Sequence, residues 1–177
     1  IILGIDPGFG RVGFGVIEKG YGDWEAKVYG CIETSAKKSF VDRLAQIHEE
    51  LVSLIKKYKP TRMAVEELFF FKNVKTAIEV GQARGVILLT AVENNLPVDE
   101  FTPLQVKQAI TGYGRAEKDQ MQKMVAMKVR PGYLEMASLM PKPTRKTPAS
   151  FSSTRPITGF ARMRAARWWV SKVMPTP

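Results

Sequence analysis

Short apolar runs broken by glycine-rich turns fill the first forty residues and predict strands over 2–6, 12–18 and 26–34, with Gly20-Tyr21-Gly22-Asp23 as one of the turns. From Phe40 the period changes. Leu44, Ile47, Leu51, Leu54, Ile55 and Tyr58 recur at helical spacing until Pro60, which predicts a helix over 40–58. Further strands are predicted over 63–69 and 97–101, with a long helix over 74–94 between them. Gly81 and Gly85 stand one turn apart in that helix. Glycine costs helix propensity, so the spacing implies close packing against another helix or a partner subunit. Thr102-Pro103 supplies a capping oxygen and a proline at the first helical position for a helix over 104–110. Thr111-Gly112-Tyr113-Gly114-Arg115 reads as a loop, and 116–127 as a last helix.

Beyond residue 127 the periodicity stops. Pro141, Pro143, Pro148 and Pro156 fall among Ser, Thr, Lys and Arg, a composition that does not support a packed element. Residues 162–173, with Trp168 and Trp169, read at most as a short basic helix. The organisation predicted is therefore one domain over 1–126 and an aberrant, poorly ordered tail over 127–177.

Composition sharpens this division. The chain has 177 residues and 45% hydrophobic content, enough for one folded core. No apolar run has membrane length, and the opening residues are too short a stretch for a signal peptide. Cys31 is the sole cysteine, which excludes an intramolecular disulfide framework and thiolate metal clusters and suits a reducing cytoplasm. The net charge of +10 is not evenly spread: residues 1–126 hold 17 Lys+Arg against 16 Asp+Glu, and residues 127–177 hold 10 against 1. The tail therefore reads either as a phosphate-binding arm or as part of no folded design.

Candidate chemistry begins at Ile2-Leu3-Gly4-Ile5-Asp6-Pro7-Gly8, where an apolar strand ends on a carboxylate and turns at glycines. Asp6 suits either a turn cap or a metal ligand or general base held on rigid backbone. Glu66 tips the reading toward a site, because a carboxylate inside an apolar strand is costly unless a cation meets it. Glu67 must face the other way, and alternation alone does not say which acid enters the cleft. Two carboxylates in one cleft suit Mg²⁺ or Mn²⁺ and phosphate chemistry. Gly8-Phe9-Gly10-Arg11-Val12-Gly13 formally matches a dinucleotide-binding fingerprint, but the chain continues as a strand where that motif needs a helix. In Phe69-Phe70-Phe71-Lys72-Asn73 not all three rings can face inward, and an exposed ring beside Lys72 suits stacking on an unpaired base. Lys72, Lys75, Lys107, Arg115 and Lys118 would rim the acids. His48, the sole histidine, reads as a surface residue, which excludes histidine-rich metal sites.

These residues carry a resemblance. The opening motif, Val65-Glu66-Glu67-Leu68-Phe69, Lys72-Asn73, Gly81-Gln82-Ala83-Arg84-Gly85, Gln105-Val106-Lys107-Gln108 and Gly112-Tyr113-Gly114-Arg115-Ala116-Glu117-Lys118 occur in the order and spacing of the RuvC family of bacterial Holliday-junction resolvases. The resemblance covers residues 1–125. It implies an α/β, ribonuclease-H-like fold, a mixed five-stranded sheet flanked by helices, in a cytoplasmic bacterial homodimer that cuts two strands of a four-way DNA junction. It also implies metal-activated hydrolysis leaving 5′-phosphates, with cations about 4 Å apart, and a branch-migration helicase as partner. Asp6 and Glu66 would be catalytic metal ligands, Phe69 a stacking ring, Lys107 and Lys118 phosphate contacts, and the glycine-spaced helix a dimer interface.

One departure matters. The family completes four carboxylates with two aspartates in an Asp-Ala-x-Asp-Ala setting on a late helix, whereas no Asp follows Asp119 here. Back-translating Pro143-Thr144-Arg145-Lys146-Thr147-Pro148 with G in third codon positions, and reading from the third base of the proline codon, yields Asp-Ala-Glu-Asp-Ala. An out-of-frame tail, produced by an indel near codon 127, accounts for its basic, acid-poor composition. The resemblance thus implies a resolvase with impaired cleavage. The alternatives are a non-catalytic junction-binding dimer and a related ribonuclease-H-like nuclease acting on RNA.

Overall fold

A computed structural model describes residues 1–68 and 74–131. Three antiparallel strands open it: β1 (Ile2–Asp6), β2 (Arg11–Lys19) and β3 (Trp24–Glu33). Helix α1 (Phe40–Tyr58) crosses to β4 (Arg62–Glu66), which pairs parallel to β1. Helix α2 (Val74–Glu93) leads to β5 (Val98–Phe101), parallel to β4. Helices α3 (Pro103–Thr111) and α4 (Lys118–Lys128) follow, and β6 (Val129–Pro131) pairs parallel to the start of β3. The strand order is β5-β4-β1-β2-β3-β6.

Each boundary has a local cause. The Ser39 hydroxyl accepts from the Asp42 amide to start α1, and Lys59 ends it in the left-handed region at φ 47. Helix α3 opens with a reciprocal capping box in which Thr102 Oγ1 accepts from the Gln105 amide and Gln105 Oε1 accepts from the Thr102 amide. Ala116 is buried ahead of α4, so that helix begins two residues later than its periodicity suggests.

The sheet is covered on both faces. Leu3, Ile5, Met63 and Val65 pack with Ile47, Leu51 and Leu54 of α1 and Ala83, Ile87 and Ala91 of α2. On the other face Ala64, Ile17 and Ala26 meet Val106 and Ile110 of α3 and Met121 and Val125 of α4. A bulge on β3 reconciles the two: Val16 pairs with Val28 but Ile17 pairs with Ala26, so Lys27 is the extra residue and Ala26 turns to the opposite face from Val28.

All five expected strands are present, but among the described residues the sheet has six. The three residues Val129, Arg130 and Pro131 carry no alternation to reveal a strand, and Pro131 is tolerated because β6 is an edge. The sheet thus continues past residue 126, the expected end of the domain. The predicted helix over 162–173 lies outside the described residues. His48 stands at the surface as expected, its side chain 39% exposed, and Nδ1 lies 2.9 Å from the hydroxyl of fully buried Thr90, joining α1 to α2.

Candidate metal centre and nucleic-acid interface

The sheet itself brings two acids together. Asp6 ends β1 and Glu66 ends β4. The parallel register runs from Ile2 opposite Arg62 to Ile5 opposite Val65, so one further step sets Asp6 beside Glu66. Alternation fixes the face: Ile5 and Val65 enter the α1/α2 core, so the acids that follow them point to the α3/α4 side. Both are half-buried. Glu67, beyond the strand, donates its amide to the Phe101 carbonyl at 2.9 Å and stands one step out of phase with Glu66. The alternation that left the choice open in the sequence is thereby resolved in favour of Glu66.

The carboxylates sit at the C-terminal ends of neighbouring parallel strands, where ligands of α/β sheets gather. β5 ends on the same edge, Phe101 opposite Glu66, and Thr102 there caps the helix that carries Lys107. The fit to a hard divalent cation is partial: the donors are carboxylate oxygens, but among the described residues no group of three or more His, Cys, Asp or Glu is placed to hold a metal ion.

The expected rim is only partly in view. Lys107 is half-exposed on α3, its carbonyl accepting from the Thr111 hydroxyl at 2.9 Å, and Arg115 is exposed in the following loop. Phe69 and Lys72 lie outside the described residues, as do the side chains of Lys75 and Lys118. The loop between α3 and α4 is tightly made: Gly112 adopts φ +72, and a side chain at Gly114 would meet Leu104 Cδ1 at 2.4 Å.

Two features carried no signal in the sequence. Arg62 Nη1 donates to both carboxylate oxygens of Asp99 at 2.8 Å, and Arg84 is ion-paired to Glu100, so both β4 and α2 are tied by charge to β5. Around the turn after Asp6, Phe9 stacks on Phe40 and lies under Arg43. The dinucleotide reading of that turn is excluded, since β2 runs on through Gly13. Gly8 serves close approach instead: a Cβ there would lie 2.1 Å from the Arg11 carbonyl oxygen.

A mixed sheet between two helical layers, with two acids at the C-terminal ends of neighbouring parallel strands, is the ribonuclease-H-like architecture. The profile described as crossover junction endodeoxyribonuclease RuvC matches residues 2–132, and the chain belongs to that family. Named relatives include the RuvC proteins of Halothermothrix orenii, 58% identical over 125 residues (71% of this chain, 76% of that one), and Petrotoga mobilis, 54% identical over 127 (72% and 78%). Among solved structures, Thermus thermophilus RuvC superposes with TM-score 0.69 at 28% identity, covering 97% of this chain and 91% of its own. The same protein in complex with a Holliday junction substrate gives 0.68 at 28%, covering 94% and 90%. The yeast mitochondrial resolvase Ydc2 shares the fold, with TM-score 0.60 at 14% identity and coverage of 97% and 76%.

Proposed function

We infer that this chain binds four-way DNA junctions as a homodimer and that its phosphodiester hydrolysis is impaired. The observation that carries the reading is the in-register pair Asp6 and Glu66, placed by adjacent parallel strands on one face. Asp6 and Glu66 would hold Mg²⁺, with Mn²⁺ as a substitute. A bound divalent cation supplies charge for the phosphodiester and lowers the pKa of water. The chain's own part is to fix the two carboxylates on rigid strands, so that little reorganisation is needed at the moment of reaction. Lys107 and Arg115, with Lys72 and Lys118, would contact backbone phosphates, and Phe69 would stack at the junction. Two carboxylates where the family uses four imply weak cation affinity, which is the source of the impairment.

Dimerisation is supported by α2. Ala83, Ile87 and Ala91 face the core, while Ile78, Leu89 and Val92 are 58%, 56% and 69% exposed, with Gly81 and Gly85 open to solvent on the outward side. The glycines therefore do not serve packing within the chain. An apolar stripe broken by glycines suits a second copy of the same helix. No helix among the described residues is long and apolar enough to cross a membrane, and a cytoplasmic location follows from the DNA substrate. A branch-migration helicase as partner rests on the family resemblance alone.

The test uses a synthetic four-way junction, with duplex DNA and single-stranded RNA as competitors. Junction binding that outlasts both competitors, with slow cleavage in Mg²⁺ or Mn²⁺ abolished by Asp6→Asn and by Glu66→Gln, supports the reading. Binding with no product at any cation concentration would favour the non-catalytic dimer. Equal competition by single-stranded RNA would favour an RNA-processing enzyme.

A further inference from the structure

We propose that Thr34 and Arg43 are positioning residues for Asp6, acting through a brace on the turn that follows it. The inference deepens the proposed cation site and rests on that reading of Asp6. The last registered pair of the β1–β2 ladder is Asp6 with Gly13, so the acid sits where a strand ordinarily frays. The turn beyond it is held from outside. Thr34, at the end of β3 and 7% exposed, takes both of its outer carbonyls: the amide donates to the Gly10 carbonyl at 3.1 Å, and the hydroxyl donates to the Phe9 carbonyl at 2.7 Å. The same hydroxyl accepts from Arg43 Nε at 3.0 Å, so its donor and one acceptor position are both used.

Arg43 does two things at once. Its guanidinium carbon lies 3.7 Å from the centroid of the Phe9 ring. Phe40, one helical turn earlier on α1, stacks on that ring at 4.6 Å between centroids, and Phe9 is 5% exposed. The first turn of α1 thus grips the Phe9 side chain while Thr34 grips its carbonyl. Neither Thr34 nor Arg43 belongs to the acid pair, and a surface-exposed guanidinium would not need both a buried hydroxyl and a ring. The arrangement removes freedom from the backbone adjoining the carboxylate, and small displacements of a ligating group are expensive in a site with few ligands.

The test compares Thr34→Val, Thr34→Ser, Arg43→Ala and Arg43→Lys in the full chain, read by backbone ¹⁵N relaxation at Asp6, Gly8, Phe9 and Gly10 and by Mn²⁺ broadening of the same amides. The valine and alanine variants should lower order parameters at these positions from about 0.85 to below about 0.6, with amides at the centre of β2 unchanged. Half-saturation by Mn²⁺ should rise about tenfold, the low end for loss of an outer partner. Thr34→Ser, which keeps the hydroxyl, should restore both readouts. Arg43→Lys keeps the charge and loses Nε, and it carries the test if Arg43→Ala does not fold. Unchanged order in the valine and lysine variants, or serine loosening the turn as much as valine, would overturn the brace. Absence of Mn²⁺ broadening at Asp6 in the unsubstituted chain would overturn the cation reading instead, and relaxation tells the two failures apart.

Discussion

Leu89→Glu probes the outward stripe of α2 without touching the core. Full burial of a leucine side chain stabilises by about 1.5–3 kcal/mol, and Leu89 is 56% exposed. Covering the remainder in an interface would therefore recover about 0.8–1.7 kcal/mol per protomer. A twofold interface counts the loss twice, so glutamate should weaken dimerisation by about 1.7–3.4 kcal/mol, or roughly 20- to 300-fold in Kd, before any cost of desolvating the carboxylate is added. Sedimentation equilibrium across a dilution series measures that constant directly. Leu89 faces away from Ala83, Ile87 and Ala91, so the thermal midpoint of the dissociated protomer should stay within a few degrees of the unsubstituted chain. An unchanged dimerisation constant, or an unsubstituted chain that is monomeric at every concentration, would refute the assignment of α2 as the interface.

Three further outcomes follow from particular residues. Gly8→Ala forces a Cβ to within 2.1 Å of the Arg11 carbonyl oxygen, so the turn must open; urea denaturation should show a loss of about 1–3 kcal/mol, with a weakened Mn²⁺ response. Cys31 reaches solvent on β3, yet the protein packed around it and the Glu33 carboxylate push its thiol up to about 11. The neutral thiol persists through pH 8, so labelling by a disulfide reagent should run about two orders of magnitude slower than for a free cysteine, and comparable rates would contradict the assignment. Restoring the alternative reading frame downstream of codon 127 should return two aspartates and strong Mg²⁺-dependent junction cleavage; a coding sequence in which no single-nucleotide shift encodes them would dispose of the frameshift.

Much of the architecture was legible because hydrophobic period and capping chemistry agree in this chain. The helix from Phe40 shows both the apolar spacing of Ile47, Leu51 and Leu54 and the stop at Pro60, and its observed limits coincide with the reading. Thr102-Pro103 announced α3 equally well. β6 was hidden because three edge residues have no period, and α4 was misplaced because buried Ala116 continues the apolar pattern before the helix begins. Of the site, the acids were visible as charges on apolar strands, and register supplied what alternation could not, namely which glutamate joins Asp6. The contacts of Thr34 and Arg43 left no trace. They join residues from a strand end, a turn and a helix, and such meetings are set by tertiary packing rather than by local pattern.

Asp6 and Glu66 meet only through the β1–β4 pairing, which closes across the hairpins and the whole of α1. That closure is a non-local event, formed late when a chain condenses from its local elements. During refolding an ion would encounter no carboxylate pair until α1 has docked and β4 has found β1. A divalent cation that binds the pair should therefore leave the folding rate nearly untouched and slow unfolding instead, making the lifetime of the native state a sensitive measure of whether the two acids take up an ion at all.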